Sequence, residues 1–180
     1  YNGSGVKVGI IDTGFNNSAY TGDLTSELGT RYENVNTTNT TLPTDNHGVI
    51  IAKLVGGTTS GVAEGVSIVA ADATVVSGSS SSINPTAAMY ETLYNKGVRI
   101  YNQSFGSEGS LAGFTTDTTS SNYFGYAVGT DILDFYKKAV NNGSLLVWAA
   151  GNNSSQTYST LQGTLPHWEP SLQQGWLNVV

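Results

Sequence analysis

Short continuous apolar runs recur along the chain, and they are separated by polar segments or by segments with helical spacing. The runs at residues 6–11, 67–73, 98–102, 145–148 and 176–180 predict five buried strands. These strands alternate with helical segments and are apolar throughout, without the alternation of a half-exposed strand. The pattern therefore predicts an α/β fold, a three-layer arrangement in which helices cover both faces of a parallel sheet.

Three segments between the strands have the spacing of amphipathic helices. They lie at about residues 47–57, 84–97 and 130–142. In the first, Ile50, Ile51, Leu54 and Val55 share one face. The expected caps are Asp45 and Asn46 for the first helix, Asn84 followed by Pro85 for the second, and Thr130 for the third.

Long polar segments without periodicity connect these elements. Residues 15–44, 77–82 and 106–129 are predicted to be loops or turns. They hold much of the unusual uncharged polar content, which comprises 20 serines, 22 threonines, 16 asparagines and 22 glycines. Because 38% of the residues are hydrophobic, the chain should still fold. Few charged residues and many Ser, Thr and Asn favour a secreted or cell-surface protein.

The charges, cysteines and apolar runs exclude several classes of protein. There is no cysteine, which rules out a disulfide scaffold, a thiol nucleophile and a Cys-ligated zinc site. Seven basic against 13 acidic residues give a net charge of −6 without a basic stripe, so we expect no nucleic-acid partner. No apolar run approaches the roughly 20 residues of a membrane helix, so we expect no membrane contact by this segment.

Polar residues directly after the predicted strands are candidates for chemistry, because ligands of open parallel sheets bind beyond the carboxyl ends of the strands. Asp12 follows the first strand, Asn102-Gln103-Ser104 the third, and Gly151-Asn152 the fourth. His47 stands at the start of a predicted helix, and Gly48 next to it allows another segment to approach closely. An aspartate and a histidine so placed are two members of a nucleophilic triad.

Asp12 also permits another interpretation. Asp12-Thr13-Gly14 is similar to the active-site turn of aspartic proteases. That chemistry needs two carboxylates that share a proton, from two copies of the motif or from a homodimer. This chain has one copy on an α/β pattern, whereas aspartic proteases have an all-β fold.

Several blocks in order along the chain resemble those of the subtilisin-like serine proteases (subtilases). The resemblance covers residues from about 6 to 152, and residues 163–180 are similar to the next strand of that family. The matching blocks are Ile10-Ile11-Asp12-Thr13-Gly14 with Asp23-Leu24, His47-Gly48-Val49-Ile50-Ile51-Ala52 with Gly56-Gly57, Gly61-Val62-Ala63, Asn102-Gln103-Ser104-Phe105-Gly106, and Ala149-Ala150-Gly151-Asn152.

The resemblance implies a serine endopeptidase that hydrolyses peptide bonds. Asp12 would accept the Nδ1 proton of His47, and His47 would act as general base and acid. Asn152 would donate to the oxyanion. The implied substrate-binding residues are Ser104, Phe105 and Gly106, which would pair with an extended peptide, and Ala149, Ala150 and Gly151, which would line a specificity pocket.

The chain departs from the family pattern at one decisive point. The Gly-Thr-Ser block that carries the family nucleophile is absent. Residues 1–180 are therefore expected to be the N-terminal part of a peptidase domain, incomplete at its C-terminus and inactive alone. Trp168 and Trp176 are similar to features of autotransporter-type members, which implies a secreted or bacterial cell-surface location. No cofactor is implied, although Asp23 matches a calcium-binding position of some members.

Two other functions stay open at this stage. The missing serine, and Val49 where the family has threonine, are compatible with a non-catalytic subtilisin-like module that binds peptides or surfaces. A small-ligand-binding α/β domain of the flavodoxin type is the second alternative. It lacks support because no strand leads into a glycine-rich phosphate turn. Substrate specificity, calcium dependence and oligomeric state are not predicted.

Overall fold

A computed structural model describes residues 1–36, 44–107, 113–152 and 160–179. Its strands are β1 (Lys7–Asp12), β2 (Tyr32–Asn34), β3 (Ser67–Asp72), β4 (Thr74–Ser77), β5 (Ser80–Ile83), β6 (Ile100–Gln103), β7 (Leu145–Ala149) and β8 (Trp176–Val179). Its α-helices are α1 (Thr21–Leu28), α2 (His47–Gly56), α3 (Ala87–Asn95), α4 (Phe124–Val128), α5 (Thr130–Asn141) and α6 (Leu161–Trp168). In the described part of the chain, no helix is long and apolar enough to cross a membrane. The chain divides into two compact units, Tyr1–Asn102 and Gln103–Val180.

The first unit is built on parallel strands in the order β2-β3-β1-β6. Strand β1 lies between β3 and β6, in a register that pairs Ile10 with Ala70 on one side and with Asn102 on the other. The hairpin β4–β5 forms a separate antiparallel pair. The central position of β1 explains its apolar sequence, since both of its faces are covered.

Helices cover both faces of these strands, which confirms the predicted fold class. On one face, Val8 and Ile10 of β1 share a buried core with Leu24 of α1 and Val49 of α2. On the other face, Tyr90 of α3 packs against Tyr101 of β6 with ring centroids 6.4 Å apart. Burial of each large apolar side chain stabilises the fold by about 1.5–3 kcal/mol.

The second unit contains the parallel pair β7 and β8 and an aromatic core. The indole rings of Trp148 and Trp176 stack with centroids 5.5 Å apart. Tyr136 of α5 meets both rings edge-on, at 5.9 and 5.4 Å. Edge-on and stacked arrangements are favourable for aromatic rings, and these contacts hold α5 against the strands.

Most strands and the helix at His47 agree with prediction, whereas the predicted loops contain additional elements. Residues 15–44 were expected to be a loop, but they contain α1 and β2. In α1 only Leu24 and Leu28 are buried. A single pair of apolar residues four positions apart is too weak a pattern to predict a helix. The loop at 106–129 contains α4, and the turn at 77–82 lies within the β4–β5 hairpin. Residues 37–43, 108–112, 153–159 and 180 fall outside the described residues.

Two helix starts also differ from prediction. Helix α3 begins at Ala87 with Thr86 as its cap, whose hydroxyl accepts a hydrogen bond from the Met89 amide. Asn84 and Pro85 therefore precede the cap. Helix α5 begins at Thr130, and Gly129 occupies the cap position. Helix α6 was not predicted, because it contains a glycine and Pro166, which usually indicate a loop.

Candidate active site

Asp12 and His47 form a hydrogen-bonded pair in the first unit. Asp12 is the last residue of β1, and His47 is the first residue of α2. The distance from His47 Nδ1 to Asp12 Oδ1 is 2.7 Å. Because an ionised carboxylate only accepts hydrogen bonds, Nδ1 is the donor, and Nε2 is left to act as a base.

The two partners differ strongly in exposure. The Asp12 side chain is 2% exposed, whereas that of His47 is 53% exposed. The same Asp12 oxygen also accepts from the Thr13 amide at 2.7 Å. Its other oxygen, Oδ2, is buried and has no hydrogen-bond partner among the described residues. The carboxylate is therefore held inside the protein while the imidazole faces solvent.

Close backbone packing brings the turn after β1 to the start of α2. The Gly48 amide donates to the Thr13 carbonyl at 2.9 Å. A Cβ on Gly48 would lie 2.6 Å from that carbonyl oxygen and 2.7 Å from the Phe15 ring, so only glycine fits. Gly14 adopts a positive φ of 86° in the same turn. The glycines of both motifs thus account for the short distance between the acid and the imidazole.

The surroundings of His47 raise the pKa of its imidazole above the ordinary value. The hydrogen bond to Asp12 is the largest cause, and partial burial opposes it. The negative charges of Asp12 and Asp45 add to the increase. An imidazole in this setting accepts a proton readily, as a general base must.

Asp45 does not cap α2, contrary to prediction. Asn46 occupies the cap position without a side-chain hydrogen bond. The Asp45 carboxylate instead accepts from Thr13 Oγ1 at 2.8 Å and from Ser81 Oγ at 3.2 Å. Sequence reasoning missed these contacts because their partners lie 32 and 36 residues away.

In the second unit, the segment Ser104, Phe105 and Gly106 follows β6. Ser104 and Phe105 are half-buried and Gly106 is exposed. The Phe105 ring meets Trp148 edge-on, with centroids 5.4 Å apart. Backbone contacts continue at Ser107, whose carbonyl accepts from the Leu161 amide at 2.9 Å. The predicted peptide-binding segment therefore lies along the start of α6.

Ala149, Ala150, Gly151 and Asn152 lie at the carboxyl end of β7. Ala149 and Ala150 are half-buried, whereas Gly151 and Asn152 are exposed. Gly151 has a φ of 108°, so the chain turns sharply there. An exposed asparagine after such a turn can present its amide to a bound molecule.

Thr160 connects these two predicted substrate-binding segments. Its hydroxyl donates to the Ala149 carbonyl at 2.9 Å, and its amide donates to the Ala150 carbonyl at 3.0 Å. A Cβ on Gly106 would lie 2.5 Å from the Thr160 Cβ, which shows how closely the segments approach. Thr160 also caps α6 by accepting from the Gly163 amide. In the sequence, a threonine directly before a stretch with apolar residues was the signal that could have indicated this helix cap.

Asp23 and His167 are the remaining candidates. Asp23 Oδ2 is 3.7 Å from Lys53 Nζ, so its carboxylate is paired with an ammonium group. Calcium needs six to eight oxygens, and no cluster of three or more His, Cys, Asp or Glu occurs among the described residues. Calcium binding at Asp23 stays a prediction. His167 is exposed on α6, with its ring edge-on to Trp168.

A profile of the subtilase family matches residues 3–180. The chain belongs to the subtilase family. A search of curated proteins found no match. The family and the parallel α/β fold leave the aspartic-protease interpretation of Asp12 without support.

Solved structures with the same fold include several proteases. A cold-adapted subtilisin-like serine proteinase is 24% identical over 84% of this chain, with a TM-score of 0.51. The prenylagaramide maturation protease is 17% identical over 89%, with a TM-score of 0.57. The nisin leader peptidase of Lactococcus lactis is 23% identical over 86%, with a TM-score of 0.53. The match covers 48%, 50% and 46% of those proteins, so this subtilase chain spans about half their length.

Proposed function

We propose that this chain belongs to a serine endopeptidase that hydrolyses peptide bonds with an Asp-His-Ser triad. The observation that carries the proposal is the 2.7 Å hydrogen bond from His47 Nδ1 to the buried Asp12 carboxylate. The serine would lie outside residues 1–180, because the Gly-Thr-Ser block is missing from them. We accordingly expect the isolated chain to be inactive.

Asp12 and His47 would act together on the serine. Asp12 fixes the tautomer that carries its proton on Nδ1, so the Nε2 lone pair is available at the exposed edge of the ring. Nε2 takes the serine proton while the hydroxyl oxygen attacks the peptide carbonyl. The imidazolium that forms is stabilised by the Asp12 carboxylate, and it then gives its proton to the leaving amine.

Asn152 would stabilise the tetrahedral intermediate. Its side-chain amide donates to the oxyanion in this proposal, which is worth about 3 kcal/mol for the equivalent donor in subtilisin, the protein from which that magnitude comes. The exposure of Asn152 after the Gly151 turn supports this role. The steps proposed here use protein groups alone.

The substrate would be an extended peptide or protein segment. Ser104, Phe105 and Gly106 offer backbone groups for strand addition, and Gly106 leaves the edge open. Ala149, Ala150 and Gly151 provide a pocket wall of small residues. The similar structures named above are proteases, which supports this substrate class. The polar composition without cysteine supports a secreted or bacterial cell-surface location, as in autotransporter-type members.

A fluorophosphonate probe, which reacts with activated serines, tests the proposal on the full-length protein. We expect the wild type and His167→Ala to be labelled, because His167 is exposed on α6. We expect His47→Ala to abolish labelling, because the serine then lacks its base. Labelling that survives His47→Ala would overturn the proposal.

The non-catalytic module remains the alternative, and the same experiment addresses it. The argument from Val49 for this alternative is weakened, because Val49 is buried in the core between α1, α2 and the strands. The valine at that position packs in the hydrophobic core. A folded full-length protein that lacks the serine block and resists the probe would favour the module.

A further inference from the structure

Asp45 is bonded to two other segments of the first unit. Its Oδ1 accepts from Thr13 Oγ1 at 2.8 Å, in the turn directly after Asp12. Its Oδ2 accepts from Ser81 Oγ at 3.2 Å, in the β4–β5 hairpin. Its backbone carbonyl accepts from Asn17 Nδ2 at 2.7 Å. The residue that precedes α2 by two positions is therefore bonded to the loop after β1 and to the hairpin.

These bonds act where the acid and the imidazole meet. Thr13 bonds to Asp12 Oδ1 through its amide and to Asp45 Oδ1 through its hydroxyl. Its carbonyl accepts from the Gly48 amide at 2.9 Å, next to His47. Thr13 is thus held from both sides, and a shift of Asp45 would move the Asp12 carboxylate relative to the ring.

The negative charge of Asp45 also acts on the imidazole of His47. The acidic groups that raise the pKa of His47 are Asp12, through a direct hydrogen bond and its charge, and Asp45, through its charge. On β3, the Asp72 carboxylate accepts from the Asn16 and Thr74 amides at 2.7 and 2.9 Å. On α2, Lys53 is paired with Asp23 of α1.

We propose that Asp45 is a positioning residue for the reaction of His47. Its carboxylate fixes the Asp12–Thr13 turn against the start of α2 through the Thr13 hydroxyl, and it supplies a second negative charge two residues before His47. The proposal rests on the proposed function for its effect on catalysis. Its structural part, the interaction of Asp45 with His47, is measurable without activity.

Two variants of the full-length protein separate the hydrogen bond from the charge. Asp45→Asn removes the charge and keeps an oxygen that accepts from Thr13. Thr13→Val removes the donor and keeps the charge. We expect Asp45→Asn to lower the pKa of His47, measured by NMR titration of the imidazole, and to shift the acidic limb of the kcat/KM profile to lower pH. We expect Thr13→Val to lower kcat about tenfold on the pH plateau through misplacement of the pair, a loss that Asp45→Asn should not show because it keeps the bond to Thr13.

The exposed Glu64 supplies the matched control. Glu64→Gln removes the same unit of charge from the first unit, and we expect wild-type kcat and pKa. Thermal unfolding verifies that each variant is folded, and His47→Gln assigns the resonance of His47.

The proposal is overturned if Asp45→Asn leaves the pKa and the acidic limb where Glu64→Gln leaves them. It is equally overturned if Thr13→Val retains the wild-type kcat. If the wild-type full-length protein is inactive, the proposed function fails. The NMR titration of Asp45→Asn then still supports or overturns the interaction with His47.

Discussion

At the scale of single residues, the site combines a buried acid with an imidazole that faces solvent. Asp12 is 2% exposed and His47 is 53% exposed, and the bond between them is 2.7 Å long. Burial shields the carboxylate from competing water, which strengthens its hold on Nδ1. Exposure leaves Nε2 accessible to reacting groups. The division of roles therefore follows from where β1 ends and where α2 begins.

Gly48 is the residue on which this arrangement depends most directly. We expect Gly48→Ala to lower the free energy of unfolding by about 1–3 kcal/mol, because the new methyl group would overlap the Thr13 carbonyl and the Phe15 ring. Urea unfolding measures the change, and probe labelling should slow because His47 moves. Gly22→Ala on α1 is the control, since a Cβ there has nothing within 4 Å. A Gly48→Ala variant as stable as Gly22→Ala would contradict the expectation.

The roles of residues within sequence motifs could be predicted. The contacts of the residues that hold those motifs in position could not. Asp12 and His47 stand in recognisable blocks, so their pairing could be expected before any geometry. Asp45 was expected to cap a helix because caps are local, but its partners are distant in sequence. The roles of Asn152 and of the segment at Ser104 stay predictions.

At the scale of elements, burial decides which parts of the fold could be predicted. The central strands β1 and β3 are continuous apolar runs because both of their faces are covered, and this pattern is clear in the sequence. The edge strand β2 has only three residues, and α1 buries only Leu24 and Leu28. Short elements with one or two buried residues leave a weak pattern, so sequence reasoning assigned them to a loop.

Helix α6 matters to the site through its first turn. We expect Thr160→Val to lower the free energy of unfolding by about 1–2 kcal/mol, because it removes the cap of α6 and the bond to the Ala149 carbonyl. In the full-length protein, the KM for a peptide substrate should rise, since the Ala149 carbonyl loses the hydroxyl that ties it to the residue next to Gly106.

Two further variants, at the cap of α6 and within the helix, are controls for Thr160→Val. Thr160→Ser keeps the hydroxyl and should restore most of the lost stability. Thr164→Val removes a hydroxyl that donates to the Leu161 carbonyl within the same helix, so it should leave KM unchanged. An equal rise in KM for Thr160→Val and Thr164→Val would show that Thr160 has no specific role.

At the scale of the whole molecule, the pair of Asp12 and His47 couples folding to pH. The pKa of His47 is raised in the folded state, chiefly by the hydrogen bond to Asp12. A group whose pKa is higher in the folded state binds its proton more tightly there. Its contribution to stability is therefore complete below the unfolded pKa of about 6.5, and it is lost as the pH rises through the folded value.

Replacement of Asp12 by asparagine should expose this coupling. We expect Asp12→Asn to destabilise the protein most near pH 6, where His47 is protonated and its attraction to the carboxylate counts in full. The difference in the free energy of unfolding from wild type should shrink as the pH rises through the folded pKa of His47, above which the imidazole is neutral in both states. Because the His47 side chain is 53% exposed, solvent screens the charge and the change with pH should be modest.

Urea unfolding at intervals between pH 6 and 9 measures this change, and the same comparison in a His47→Gln background should give a constant difference. A difference that is equally constant with His47 present would show that the pair does not link protonation to folding.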